Sequence, residues 1–257
     1  PAWTAVSSTV SGLLIPPPVA KANLGSAVAI SDTTAAVGAL DYDGRGAVLI
    51  YDATVSPDDR KPIAVLQARD IGTGDGFGSA VAMFGDQTSL SLVVGAPDKS
   101  NDTGAAYIFT GIGEHWSQET KLTGGSVGEQ FGHAVDLDGN TAVVGAPGSN
   151  TAYVFVRSGI SWSLQGTVSG PSGSAFGSAV ALDSDTLVVG APNGGTGGQV
   201  FVYTRSNGAW SAQGTALAAS GIAAGDGFGG FHPEVVEVVR RFSHTGRTNH
   251  AAARSGR

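Results

Sequence analysis

Phe131-Gly132-His133-Ala134-Val135-Asp136-Leu137-Asp138-Gly139-Asn140-Thr141-Ala142-Val143-Val144-Gly145-Ala146-Pro147 reads as two short strands joined by a tight turn. His133, Val135 and Leu137 alternate with small or acidic residues, which is the period of a strand. Asp138-Gly139 supplies a hairpin signal between the strands. The second strand, Thr141 to Gly145, sets Val143 beside Val144, so both of its faces are expected to be covered. Gly145 permits a backbone conformation or close approach that a larger residue would resist. Pro147 has no N–H, so the ladder stops there.

The stretch recurs as Phe176-Gly177 to Gly190-Ala191-Pro192 and as Phe77-Gly78 to Gly95-Ala96-Pro97. A worn copy runs from Leu24-Gly25 to Gly38-Ala39-Leu40, and a fifth opens at Phe228-Gly229 without a second half. Successive copies start about 45 to 54 residues apart, the length of one four-stranded propeller blade. In the third repeat the strands are expected at Gly132 to Leu137, Thr141 to Gly145, Ala152 to Arg157, and from about Trp162. The small residues of the first strand suit the crowded position nearest a propeller axis. In the second repeat the longer connection between Met83 and Leu92 is expected to turn at Gly85-Asp86-Gln87. Trp116, Trp162 and Trp210 open the fourth strands, and Trp3 opens a similar run. Residues 3 to about 10 therefore read as the last strand of a preceding blade, followed by a rigid linker at Pro16-Pro17-Pro18.

These paired motifs resemble the FG-GAP repeat family, the β-propeller repeats of integrin α-subunits and of many bacterial secreted proteins. The resemblance covers roughly residues 3 to 229 and rests on Phe77, Gly78, Gly95, Pro97, Phe131, Gly132, Gly145, Pro147, Phe176, Gly177, Gly190 and Pro192. It implies an all-β propeller of four-stranded antiparallel blades, with four recognisable blades and a truncated fifth. The parent ring would have about seven blades. It also implies that the Phe-Gly and Gly-Ala-Pro loops share one face, the usual ligand side in the family. The function expected from the resemblance is a non-enzymatic binding or adhesion module, extracellular or on the cell surface, with a protein or glycan ligand. The competing reading is a carbohydrate-binding propeller or an accessory domain of a secreted hydrolase. The recurring Trp residues would then be sugar platforms rather than packing between blades.

Composition narrows the classes. A net charge of −7 and a pI near 5.0 argue against a nucleic-acid partner. The absence of Cys removes disulfides, thiolate nucleophiles and Cys-based zinc sites. No apolar run reaches the length of a membrane span. At 41% hydrophobic and 14% charged, the chain can build a core. It begins at Pro1 with no basic segment before an apolar one, and so reads as a processed or excised piece. The repeat pattern stops after Gly229. Residues 230–257 hold Arg240, Arg241, Arg247, Arg254 and Arg257, and read as a basic tail outside the repeats, disordered, foreign or an interaction arm. An incomplete ring would expose strand edges and apolar faces, so the chain as given is expected to self-associate or to be stable only as part of a longer chain.

Integrin-type repeats often hold Ca²⁺ between the first two strands of a blade. The matching residues here are Asp136, Asp138 and Asn140 in one repeat and Asp183 and Asp185 in the next. Ca²⁺ takes six to eight oxygens, and turns this short cannot wrap it. The expectation is no tight calcium site and no cofactor. Gly72-Thr73-Gly74-Asp75-Gly76-Phe77-Gly78 looks like a nucleotide loop, but it follows no βαβ pattern and lacks Gly-Lys-Ser/Thr. Asn101-Asp102-Thr103 is an N-glycosylation sequon. His133 stands where sister repeats have Ser79 and Ser178, and reads as a simple replacement. No Ser/His/Asp spacing and no glycosidase-like carboxylate pair stands out.

Overall fold

Each repeat folds into one antiparallel sheet whose four strands follow chain order. A computed structural model describes residues 22–56, 61–218, 223 and 225–230. Blade one is β1 (Leu24–Ser31), β2 (Thr34–Ala39), β3 (Ala47–Asp52) and β4 (Ala64–Leu66). Blade two is β5 (Val81–Asp86), β6 (Ser89–Ala96), β7 (Ala105–Ile112) and β8 (His115–Leu122). Blade three is β9 (Ala134–Asp138), β10 (Thr141–Ala146), β11 (Thr151–Ser158) and β12 (Ser161–Ser169). Blade four is β13 (Ala179–Asp183), β14 (Thr186–Ala191), β15 (Gln199–Ser206) and β16 (Ala209–Ala212). The expected all-β, blade-like architecture is therefore present, and the worn first copy forms a full blade. Residues 3 to 10, Trp3 and residues 231–257 lie outside the described residues.

Two-residue turns close the first hairpin of every blade. Asp138 pairs with Thr141, so the central residues are Gly139 and Asn140 rather than Asp138 and Gly139. The first central residue takes a left-handed φ in three blades: 51° at Asp32, 57° at Gly139 and 57° at Ser184. In blade two the expected turn at Gly85-Asp86-Gln87 falls instead on Gln87-Thr88, because Asp86 pairs with Ser89. The Asp86 carboxylate accepts both the Thr88 N–H, at 2.8 Å, and its hydroxyl, at 2.6 Å. The extra residues thus lengthen the strands, not the loop.

First strands of successive blades lie against one another, while fourth strands barely touch. The first strand is therefore the inner one, as its small residues suggest. The apolar core lies between blades. One cluster joins Val48, Ile50 and Leu66 of blade one to Phe77, Met83, Leu92 and Tyr107 of blade two. A second joins Ala82, Val93 and Ile108 to Phe131, Val135, Leu137 and Val144. A third joins Val143, Val154 and Val168 to Phe176, Leu182, Leu187 and Tyr203. Trp116, Trp162 and Trp210 each sit second in their fourth strand and pack on these three clusters in turn.

The Phe-Gly and Gly-Ala-Pro residues form the contact between blades. Phe77, Phe131 and Phe176 are fully buried and meet two rings of the third strand of their own blade edge-on. For Phe131 the partners are Tyr153 at 5.2 Å and Phe155 at 6.0 Å between ring centroids. The following glycines, Gly78, Gly132 and Gly177, lie at φ 91°, 96° and 95°. Each donates its N–H to the Gly-Ala-Pro glycine carbonyl of its own blade: Gly95 at 3.0 Å, Gly145 at 3.1 Å and Gly190 at 3.0 Å. Their own carbonyls press on the glycine of the preceding blade. A Cβ on Gly38, Gly95 or Gly145 would overlap the carbonyl oxygen of Gly78, Gly132 or Gly177 respectively. Pro97 and Pro147 are buried beside these contacts, and Pro192 is half-buried.

The fifth copy begins in the same way. Gly229, at φ 87°, sets its carbonyl over Gly190, and Phe228 bridges Gly198 as Phe131 bridges Gly104.

Gly145→Ala forces a methyl group into the Gly177 carbonyl and is expected to cost about 1–3 kcal/mol or more, the range of core overpacking. Gly166→Ala, where a Cβ meets nothing within 4 Å, is expected to hold stability or raise it by about 0.5–1 kcal/mol. Urea unfolding of the two variants checks the pair. Equal effects would contradict the packing described.

Candidate functional site

Two ends of the blades carry polar side chains. The loop end holds the β2–β3-type connections and the Phe-Gly segments. The hairpin end holds the turns between first and second strands.

At the hairpin end, Asp136 and Asp138 do not converge with the other calcium candidates. Asp136 accepts the Leu137 N–H on one oxygen at 2.8 Å and the Leu182 N–H of the next blade on the other at 2.6 Å. Asp138 accepts the Ser184 N–H, also across the blade boundary. Asp183 accepts the Ser184 hydroxyl at 3.0 Å, while Asp185 pairs with Arg205 at 2.7 Å. Asn140 is exposed, and its backbone carbonyl accepts the Arg157 N–H. Among the described residues no group of three or more His, Asp or Glu is placed to hold a metal ion. Burial pushes the Asp136 carboxyl up to about 6, with Asp138 and Asp183 adding to the rise against the two N–H donors.

The loop end is built on a repeated backbone bond. The residue after Gly-Ala-Pro donates its N–H to the residue two before Phe-Gly: Asp98 to Asp75 at 3.3 Å, Gly148 to Glu129 at 3.1 Å, and Asn193 to Ser174 at 3.0 Å. The acid two before Phe-Gly also caps its own turn. Asp75 accepts the Gly72 N–H at 2.7 Å, Glu129 the Gly125 N–H at 3.2 Å, and Asp226 the Ala223 N–H at 2.6 Å. The nucleotide-loop look-alike is therefore a capped turn that recurs in the repeat.

Between blades two and three this frame presents a distinct loop. Ser100, Asn101 and Asp102 lie at φ 56°, 58° and 61° and are exposed. Three successive non-glycine residues in the left-handed region need support from both sides. On one side the buried Lys99 ammonium reaches Asp75 at 2.9 Å and the Asp70 carbonyl at 2.5 Å. On the other, Gln130 and Phe131 donate their N–H groups to the Asp102 and Thr103 carbonyls at 2.8 and 3.2 Å. Asp70 in turn accepts from Lys121 at 2.7 Å and Tyr107 at 2.8 Å. Burial pushes Asp70 up, but the hydrogen bonds from Lys121 and Tyr107 outweigh it and hold the carboxyl below its ordinary value. Asp98 shifts the other way: burial raises it, and Asp102 and Asp75 add to the rise.

His133 is half-buried. Burial lowers its pKa, and the negative charge of Asp98 partly offsets this. The sequon residue Asn101 sits at the tip of the same loop. The Lys99–Asp70–Asp75 network escaped sequence reading, because Asp70 and Lys99 belong to no motif and lie 29 positions apart. Two of the fourth-strand Trp residues are engaged elsewhere. Trp210 donates to Gln165 at 2.9 Å and lies under Arg205, and Trp116 donates to the Gly113 carbonyl at 3.0 Å.

Asp136 gives a pH signature. Its folded pKa lies above the unfolded value, so its contribution to stability is full below about pH 4 and is lost as pH rises through about 6. Relative to the native chain, Asp136→Asn is expected to gain about 2–3 kcal/mol between pH 4 and pH 7. Urea midpoints across that range check this. A difference between the two proteins that stays constant with pH would contradict it.

Three segments of the chain, residues 62–109, 116–155 and 169–203, match the model of the FG-GAP repeat. Each match runs from the fourth strand of one blade to the third strand of the next, so the sequence repeat is out of phase with the structural blade. Among curated proteins no relative matches. Solved structures with the same fold include a protein from Lactobacillus plantarum, at 13% identity and a TM-score of 0.58, covering 79% of this chain and 62% of that one. Another is the periplasmic gluconolactonase of Pseudomonas aeruginosa, at 15% identity and a TM-score of 0.56, covering 77% and 59%. The chain spans about three fifths of the length of these two structures. At such identities the likeness is one of fold alone. Motif, blade and family model agree, and the matched segments of the chain are FG-GAP repeats.

Proposed function

We propose that this chain is a non-enzymatic binding module of the extracellular space or cell surface, with the loop end as its ligand side. One observation carries the reading. The same backbone bond fixes the residue after Gly-Ala-Pro in three blades, yet that residue changes from Asp98 to Gly148 to Asn193. A constant frame with varied side chains suits recognition. Between blades two and three the exposed side chains include Asp98, Asn101 and Asp102, which favours a protein ligand presenting Lys or Arg. The Trp residues pack on interblade clusters, which leaves the sugar-platform reading with less support. Asp136 and Asp138 spend oxygens on backbone N–H groups, so no calcium is assigned to those turns.

Peptide and glycan arrays test the reading together. The expected outcome is binding to basic peptides that Asp98→Asn with Asp102→Asn weakens at least about tenfold, roughly 1.4 kcal/mol, and that Asp185→Asn leaves unchanged. Binding confined to glycans and lost in Trp162→Ala or Trp210→Ala would instead establish the carbohydrate-binding alternative. Calorimetry with Ca²⁺ is expected to show nothing tighter than about millimolar. A micromolar isotherm abolished by Asp138→Ala would overturn the assignment of no calcium.

A further inference from the structure

His133 and Asp98 meet across the boundary between blades two and three. Asp98 follows the Gly-Ala-Pro of blade two, and His133 follows the Phe-Gly of blade three. Each lies close enough to act on the charge of the other. Backbone bonds tie the two segments together. Gln130 donates its N–H to the Asp102 carbonyl at 2.8 Å, and His133 donates its own to the Gln130 carbonyl at 3.1 Å. On the blade-two side the Asp98 N–H is held by the Asp75 carbonyl. One Asp98 carboxylate oxygen lies over Gly76, 2.7 Å from where a Cβ would stand.

The equivalent positions carry no such pair at the neighbouring boundaries. They are Asp41 and Ser79 between blades one and two, and Gly148 and Ser178 between blades three and four. Of the three boundaries, only the one between blades two and three sets an acid beside a base. The other charged groups acting on Asp98 are Asp102, on its own loop, and Asp75, on the opening turn of blade two. Lys99 is spent on Asp75 at 2.9 Å and on the Asp70 carbonyl. Asp98 is in turn the charged group acting on His133.

At neutral pH the His133 ring is neutral, because burial holds its pKa below the ordinary value. Asp98 and Asp102 are then open to a cationic ligand. In mild acid the ring gains a proton and becomes a cation already in place beside Asp98. Burial, Asp102 and Asp75 raise the pKa of Asp98, so its own titration also removes negative charge as pH falls. We propose, on the reading of the loop end as the ligand side, that His133 is a built-in competitor: on mild acidification its imidazolium pairs with Asp98 and displaces the Lys or Arg of a ligand.

Binding of a fluorescein-labelled hexalysine peptide at constant ionic strength tests this. From about pH 7.5 to about pH 5 the native chain is expected to lose at least about threefold in affinity. His133→Ser, the residue type of the sister repeats, is expected to match the native chain at the higher pH and to lose less than about half as much at the lower. Proton NMR of the His rings tests the pairing without a ligand. The resonance missing from His133→Ser identifies the ring, and Asp98→Asn is expected to lower its titration midpoint. An equal fall in affinity for the native chain and His133→Ser, or no fall at all, would overturn the proposal and leave the ligand reading standing. So would a midpoint that Asp98→Asn leaves unchanged. Absence of hexalysine binding at both pH values would overturn the ligand reading and the proposal with it.

Discussion

One backbone contact sets the spacing of the blades: the carbonyl of a Phe-Gly glycine resting on the Gly-Ala-Pro glycine of the blade before it. Neither glycine can carry a side chain. A Cβ on the Gly-Ala-Pro glycine would run into that carbonyl, and the Phe-Gly glycine sits at a φ above 90° with its own Cβ position facing the start of the third strand of the preceding blade. For Gly78 the obstacle is the Ala47 carbonyl at 2.6 Å. The N–H of the same glycine bonds back to its own blade, so a single residue closes one blade and spaces the next. With the backbone held this close, Phe77, Phe131 and Phe176 have one place to go, against the aromatic residues of the third strand.

This frame has a consequence for the loop end. The connections after Gly-Ala-Pro start from a fixed point in each blade, so their length and side chains can vary without disturbing the sheets. The Ser100 to Asp102 turn shows how far that freedom extends. Its left-handed backbone is held by a buried lysine on one side and by the opening of blade three on the other. Conformations of this kind persist only where the surroundings over-determine them. Charge-assisted contacts add to the spacing at the outer strands. Arg157 of blade three forms a two-pronged pair with Glu119 of blade two at 3.0 Å, and Arg205 of blade four reaches Thr141 of blade three at 2.9 Å.

Much of the fold was legible because it is written in local patterns. The Phe-Gly and Gly-Ala-Pro pairs, the alternation of Val135 and Leu137, and the adjacent Val143 and Val144 each follow from strand period and glycine geometry. The packing role of Trp116, Trp162 and Trp210 was also within reach, since a repeated aromatic at one strand position belongs to a repeated interface. What the sequence hid was mainly the partners that lie far apart in the chain or in a different blade. The carboxylates of Asp136 and Asp138 looked like turn residues with metal potential, but their acceptors serve N–H groups 46 positions away. The blade-two turn was misplaced because Gly85 looked like a turn residue, whereas it lies within β5 at φ 128° and tolerates the strand only as glycine. The Arg157–Glu119 pair carried one faint signal, an Arg at the same repeat position in Arg205.

Native-state hydrogen exchange at the Phe-Gly glycines tests the central claim most directly. If the glycine contact holds the blades as one unit, the amides of Gly132 and Gly177 open only when the whole chain unfolds. They should then exchange as slowly as the amides of Val144 and Val189 in the second strands. Exchange of Gly132 and Gly177 at the rate of an exposed turn amide, while those strands stay protected, would contradict it.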